Sequence, residues 1–227
     1  MLLGPSAAGF GAAVEQAVLS IAGADPVMAN VIADIGPCTL APFWGRPPYE
    51  ALVRAVSHQQ LQRKAADAIL GRFLALFAPG PFPTPAEIEG TPDAILRSVG
   101  FSGSKVAAIR AIAAAAIEGV IPERTAAEVM DGEELIRRLT PIRGVGRWTV
   151  EMLLIFDLGR LDVYPIDDFG VRNGVRAAYR LSAMPAKREM IELGERWQPF
   201  RSIASWYLWR VAAQAPRPPR TPPRPKD

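Results

Sequence analysis

Two neighbouring carboxylates, Asp167 and Asp168, end a loop that begins at Tyr164-Pro165-Ile166 and runs on into Phe169-Gly170-Val171-Arg172. Asp168 stands where a helix would start. A carboxylate there most simply caps the helix, a contribution of about 1 kcal/mol. The same placement also permits chemistry. The positive end of a helix favours an ionised carboxylate even where water is scarce. Such a group can steady a cation developing beside it and orient an attacking water. Asp167 reads as a capping or supporting neighbour. Asp157 and Asp162 read as surface loop residues.

Upstream lies Leu139-Thr140-Pro141-Ile142-Arg143-Gly144-Val145-Gly146-Arg147-Trp148-Thr149. Leu135, Ile136 and Leu139 keep helical spacing before it, and a second helical pattern follows. Glycines at 144 and 146 allow backbone conformations that other residues avoid. The N–H groups around Gly144, Val145, Gly146 and Arg147 then fall at a helix N-terminus, a natural seat for phosphate. Arg143 and Arg147 add charge. A bare Gly-x-Gly more often marks a plain helix–turn–helix corner; only the whole frame argues for more.

A third polar patch, Ser57-His58-Gln59-Gln60-Leu61-Gln62-Arg63, breaks a long helical pattern between Tyr49 and Phe77. It reads as an exposed helix junction or as a contact surface. His58, the one histidine, suits a helix end that touches phosphate or backbone.

Helical periodicity supplies the elements that must position these groups. Helices are predicted at 10–22, 26–35, both halves of 49–77, 85–89, 92–98, 102–118, 125–130, 133–139, 149–158, 168–180, 185–197 and 199–214. Pro26 after Asp25, and Pro92 after Thr91, are first-turn prolines behind a capping residue. No alternation is long enough to predict a strand, so the class is all-α. Residues 1–214 are expected to form one domain of two closely packed helical subdomains. Residues 215–227, APRPPRTPPRPKD, read as a disordered, basic, proline-rich tail.

Composition bounds the partners. The chain has 227 residues, half of them apolar, and a net charge of +3. Arginine far outnumbers lysine, and its planar fork suits phosphate. Cys38 is the single cysteine, so neither an internal disulfide nor a cysteine-ligated cluster can form. The N-terminal stretch has no basic region and carries Glu15, which is unlike a signal peptide. No apolar run is long enough for a membrane span. A soluble cytoplasmic protein is the expectation, and the arginine excess is a mild pointer to a polyanionic partner.

The frame from Leu139 to Thr149 resembles the helix-hairpin-helix motif of DNA repair glycosylases. That resemblance implies a fold of two helical subdomains flanking a DNA-binding cleft. It implies that Arg143, Gly144, Val145, Gly146 and Arg147 grip one DNA strand. It also implies that a monovalent cation, Na+ or K+, could sit on the carbonyls of Ile142 and Val145, with no other cofactor. Asp168-Phe169-Gly170 matches the superfamily's catalytic aspartate, which follows the hairpin at about this interval. Members that also nick the strand carry lysine where this chain has Trp148; without an amine no Schiff base is expected.

Within the superfamily the chain is similar to the alkylpurine branch, the 3-methyladenine DNA glycosylase II (AlkA-like) enzymes. Trp148 matches that branch. So does Trp197-Gln198-Pro199-Phe200-Arg201-Ser202-Ile203-Ala204 with Trp209 five residues on. The similarity covers roughly residues 24–212, and nothing here reads as the β-rich N-terminal domain of longer members. It implies a base pocket of Trp148, Met152 and Trp209, where a cationic alkylated purine would be held by stacking and cation–π attraction of about 0.5–2 kcal/mol. Met152 departs from the tyrosine of a known member. Trp197, Trp206 and Tyr207 read as core, and Trp44 has no assigned role. Gln59, Gln60 and Leu61 match the segment that enters the duplex when a base is extruded, Gln60 being the first choice for the plug and Leu61 the second. Ser104 and Lys105, in Gly100-Phe101-Ser102-Gly103-Ser104-Lys105, match a further backbone contact. The implied activity is monofunctional excision of 3-methyladenine- or 7-methylguanine-type purines from double-stranded DNA. The alternatives are a non-catalytic DNA-binding module and a glycosylase for another damaged base.

Overall fold

The computed structural model describes residues 7–215. All regular structure among them is helical: α1 (Phe10–Ala24), α2 (Pro26–Ile35), α3 (Pro48–His58), α4 (Arg63–Ala75), α5 (Pro85–Gly90), α6 (Asp93–Ser98), α7 (Gly103–Ile117), α8 (Arg124–Val129), α9 (Gly132–Leu139), α10 (Arg147–Phe156), α11 (Phe169–Ala178), α12 (Lys187–Glu195) and α13 (Arg201–Gln214). The all-α expectation holds, and the helix ends fall within a few residues of the predicted ones. The tail expected at 215–227 lies outside the described residues beyond Ala215. No described helix is long and apolar enough to cross a membrane.

The helices form two compact units. The first contains Phe10 and the continuous stretch Ala41–Val163. Here α7 packs against α3, α5 and α6, while α10 packs on α3 and α9. Its alanine-rich face lets neighbours approach closely. Gly144 is the clearest case: φ is +83°, and a Cβ there would overlap Ala108 of α7. Glycine is required twice over, for conformation and for space. Gly159, at φ +60°, packs against the indole of Trp44, where a Cβ would lie 2.5 Å from the ring. Trp44 also meets Phe10 edge-on at 5.5 Å. That tryptophan therefore packs the loop before α3.

Asp157 corrects the sequence reading. It is not a surface loop residue; it is 4% exposed at the C-terminal end of α10. Arg46 pairs with it at 3.0 Å. Arg124 donates to the Asp157 carbonyl at 2.8 Å and to the Arg46 carbonyl at 2.8 Å. Burial pushes the Asp157 carboxyl up to about 6, against the opposing pull of Arg46 and Arg124.

The second unit contains residues 11–40 and the chain from Tyr164 onward. Helices α11 and α13 form its most extensive pair, with α2 against both. Gly174 lies so close to the Leu208 carbonyl that a Cβ would overlap it. Asp25 is the hub. It is 1% exposed, and Oδ1 caps α2 through the Val27 and Met28 N–H groups. Its other oxygen accepts from Trp197 Nε1 at 3.1 Å and from the Tyr179 hydroxyl. Trp197, Trp206 and Tyr207 are buried, as expected of core residues.

Candidate active site

Asp168 is the N-cap of α11, and its Oδ1 accepts the Val171 N–H at 2.8 Å. The preceding turn is set by Asp168 N–H bonding to the Pro165 carbonyl at 3.0 Å. The same Oδ1 accepts the indole N–H of Trp209 at 2.8 Å. One backbone donor and one ring donor thus fix the carboxylate. Gly170 makes room for the ring: a Cβ there would lie 2.8 Å from Trp209 Cδ1 and 3.1 Å from Asp168 Oδ1. The sequence could assign Trp209 only to a base pocket, because an indole edge directed at a carboxylate 41 residues away leaves no local pattern. Asp167 is exposed and pairs with Lys187 at 3.3 Å. Asp168, and not Asp167, is the cap.

The hairpin between α9 and α10 uses its two glycines differently. Gly144 needs its positive φ. Gly146, the N-cap of α10, has φ −93° and ψ 171°, which any residue can adopt, and a Cβ there would meet nothing within 4 Å. The expectation that both glycines serve backbone conformation is corrected for Gly146, whose conformation and open surroundings do not require glycine. Val145 is buried, and its N–H bonds to the Ile142 carbonyl at 3.0 Å. Arg143 is exposed. Arg147 is also exposed, but both of its terminal nitrogens bond to Glu133, at 2.9 and 2.6 Å. This pairing holds the Arg147 guanidinium above its ordinary range and Glu133 below its own. A further approach of 3.7 Å joins Arg147 to buried Glu151. Its charge is largely answered within the protein. Trp148 and Met152, partly buried, lie one turn apart on α10, as i, i+4 residues share a helix face.

The polar break becomes a turn between α3 and α4. Gln60 sits at its tip with φ +57°, and Leu61 is 40% exposed beside it. Gln59 is different from expectation. Its amide turns inward, donating to the Gly144 carbonyl at 3.1 Å and to Thr149 Oγ1 at 2.9 Å. Thr149 went unnoticed in the sequence, since a helical threonine carries no sign of a partner 90 residues earlier. Lys105 also turns inward: its ammonium donates to the Ser57 carbonyl at 2.7 Å, and burial lowers its proton affinity. Both residues find carbonyls left unpaired by helix and hairpin ends, which outcompete solvent as partners. Ser104 stays exposed in the first turn of α7. His58 touches the Arg54 carbonyl and Asp67, each at 2.8 Å. It is a helix-end histidine on backbone, as the sequence suggested.

A glycine hairpin followed by a helix-capping aspartate, carried on helices alone, is a helix-hairpin-helix arrangement. The family model described as "HhH-GPD superfamily base excision DNA repair protein" matches residues 53–199. The chain belongs to that superfamily. It is 49% identical over 170 residues to DNA-3-methyladenine glycosylase 1 of Schizosaccharomyces pombe, covering 75% of each chain. It is 37% identical over 198 residues to the alkylbase DNA glycosidase-like protein mag2 of the same yeast, covering 87% of this chain and 93% of that one. Among solved structures, it is similar to the S. pombe 3-methyladenine DNA glycosylase Mag1 in complex with abasic DNA. The TM-score is 0.81 at 44% identity, over 86% of this chain and 95% of that one.

Proposed function

We propose that this protein is a monofunctional DNA glycosylase that releases N-alkylated purines, of the 3-methyladenine and 7-methylguanine type, from double-stranded DNA. The observation that carries the reading is Asp168, a helix-capping carboxylate fixed through one oxygen by Val171 and Trp209. The relatives named for 3-methyladenine excision support the substrate class.

An N-alkylated purine is cationic, and its bond to C1′ is weak. When that bond breaks, the electron pair leaves with the base, which departs neutral, and positive charge passes to the sugar. The carboxylate of Asp168 stabilises that charge and orients a water whose oxygen bonds to C1′ as its proton passes to that carboxylate and on to solvent. Tryptophan at 148 offers no amine to the sugar, so the product is an intact abasic site. Trp148 and Met152 contribute to base recognition, and the ring of Trp209 does so alongside its bond to Asp168. The backbone at exposed Gly144 and Gly146, with Arg143 and Ser104, holds the phosphate backbone, while Gln60 and Leu61 enter the duplex. The enzyme works as a monomer, wherever the DNA is.

A sodium or potassium ion fits the hairpin. The ligands on offer are neutral carbonyls, and the Ile142 oxygen keeps one lone pair beyond its bond to Val145. Bound there by Ile142 and Val145, the ion would add positive charge near the phosphate. Among the described residues no cluster of His, Cys, Asp or Glu could hold a metal ion.

The test is the Asp168→Asn variant on a duplex carrying one 7-methylguanine. Excision is expected to be lost while binding of the same duplex survives. Unchanged excision by the variant removes Asp168 from the chemistry. Trapping of the parent protein on DNA by borohydride removes the monofunctional reading.

A further inference from the structure

The turn between α3 and α4 holds a conformation it would not choose. Gln60 lies in the left-handed region, which a residue with a Cβ seldom adopts. Only two local backbone bonds close the turn, Gln59 N–H to Val56 at 3.2 Å and Leu61 N–H to His58 at 3.3 Å. Neither is strong enough to fix the tip. Three side chains do so from outside. Lys105 of α7 bonds the Ser57 carbonyl in the last turn of α3, where a cation also suits the helix end. Gln59 reaches across to Gly144 in the hairpin and Thr149 in α10. His58 ties the end of α3 to Asp67 of α4. With Gln59 and Lys105 turned inward, Gln60 and Leu61 are left at the tip.

We infer that Gln59 and Lys105 are positioning residues: they hold Gln60 and Leu61 as a preset wedge and couple that wedge to the phosphate-binding hairpin. The inference rests on the glycosylase reading above and deepens it. A loose turn would have to be ordered on DNA at an entropic cost, at the same moment as a base pair is opened. The braced turn is ordered beforehand. The Gln59 bridge adds direction, because a hairpin seated on one strand then also places the wedge. The braces therefore matter in proportion to how firmly the target base is paired, since extrusion of an unpaired base costs least.

The experiment compares two duplexes with one 7-methylguanine, either opposite cytosine or opposite an abasic gap, under single-turnover conditions. Extrusion is read separately, without chemistry, by the fluorescence of 2-aminopurine beside the lesion. Gln59→Glu keeps the shape and removes the donor; Lys105→Met removes the ammonium; Lys105→Arg restores a donor. Thermal unfolding of each variant checks the fold. The expected result for Gln59→Glu and Lys105→Met is a loss of about tenfold or more with the paired lesion and less than about threefold with the unpaired one, with matching loss of 2-aminopurine signal and recovery in Lys105→Arg. Equal loss on both duplexes, or no loss on the paired one, overturns the inference. If the parent protein releases the base from neither duplex, the glycosylase reading fails instead. The 2-aminopurine signal still judges the wedge in that case.

Discussion

Trp209 donates its indole N–H to the Asp168 oxygen that caps α11, at 2.8 Å. The tryptophan therefore has two separable properties, a ring and a donor. Trp209→Phe keeps the first and removes the second. A hydrogen bond to a charged group contributes about 1.5–3 kcal/mol. If that stabilisation orients Asp168 for the reaction, single-turnover excision of 7-methylguanine falls about tenfold to a hundredfold. An undiminished rate would confine Trp209 to stacking. Gly170→Ala approaches the same bond from the other side, because its Cβ would press on Trp209 at 2.8 Å. The double variant is expected to be no worse than the more damaged single one, since both break one contact. Additive losses would mean that Gly170 acts elsewhere.

Asp157 sets a pH dependence of stability. Its carboxyl is raised from 3.8 to about 6 by burial, with 5% of the side chain exposed. Between those values the folded chain holds a proton that the unfolded chain has lost. Stability from this group is full below the unfolded value and is lost as pH rises through the folded one. Asp157→Asn cannot titrate. Denaturant unfolding at pH 4 and pH 7 should show the parent losing about 2–3 kcal/mol relative to the variant across that interval. A parent that gains on the variant instead would show that Arg46 and Arg124 outweigh burial.

Asp25, like Asp168, caps a helix, and it is buried with four donors on its two oxygens. Asp25→Ala leaves the Tyr179 hydroxyl, the Trp197 indole and two α2 amides without their acceptor. The expected cost is about 3 kcal/mol or more. The melting temperature should then drop by roughly 6–12 °C. Excision measured well below the melting point should be retained. Loss of activity in a folded variant would give Asp25 a part in the site.

The helices were legible because their apolar spacing and their punctuation agree. Pro26 stands at a predicted start and Asp168 at a predicted cap, whereas Pro92 is itself the N-cap of α6 and Thr91, read as that cap, closes α5 instead. Side-chain direction was not legible. Gln59, Lys105 and Arg147 read as DNA contacts through the family resemblance of their segments, which does not tell where each side chain turns. Their partners Gly144, Ser57 and Glu133 come from other elements, which no local pattern reveals. Asp157 was misread for the same reason, as Arg46 stands 111 residues before it. Gly146 was misread differently: a glycine with an ordinary φ looks, in sequence, like one that needs a positive φ.

The second unit is assembled from chain on both sides of the first. This interrupts synthesis in an ordered way. Helices α1 and α2 leave the ribosome early, yet Asp25 waits for Tyr179 and Trp197, 154 and 172 residues later. At ordinary elongation rates that wait is on the order of ten seconds. The stretch Ala41–Val163 is complete well before it ends, and once collapsed it draws the distant segments together, shortening the loop that must close. The hairpin between α9 and α10 can thus take shape before the Asp168 carboxylate is set, which waits for Trp209. A nascent chain would complete its first unit before the bond between Trp209 and Asp168 could form.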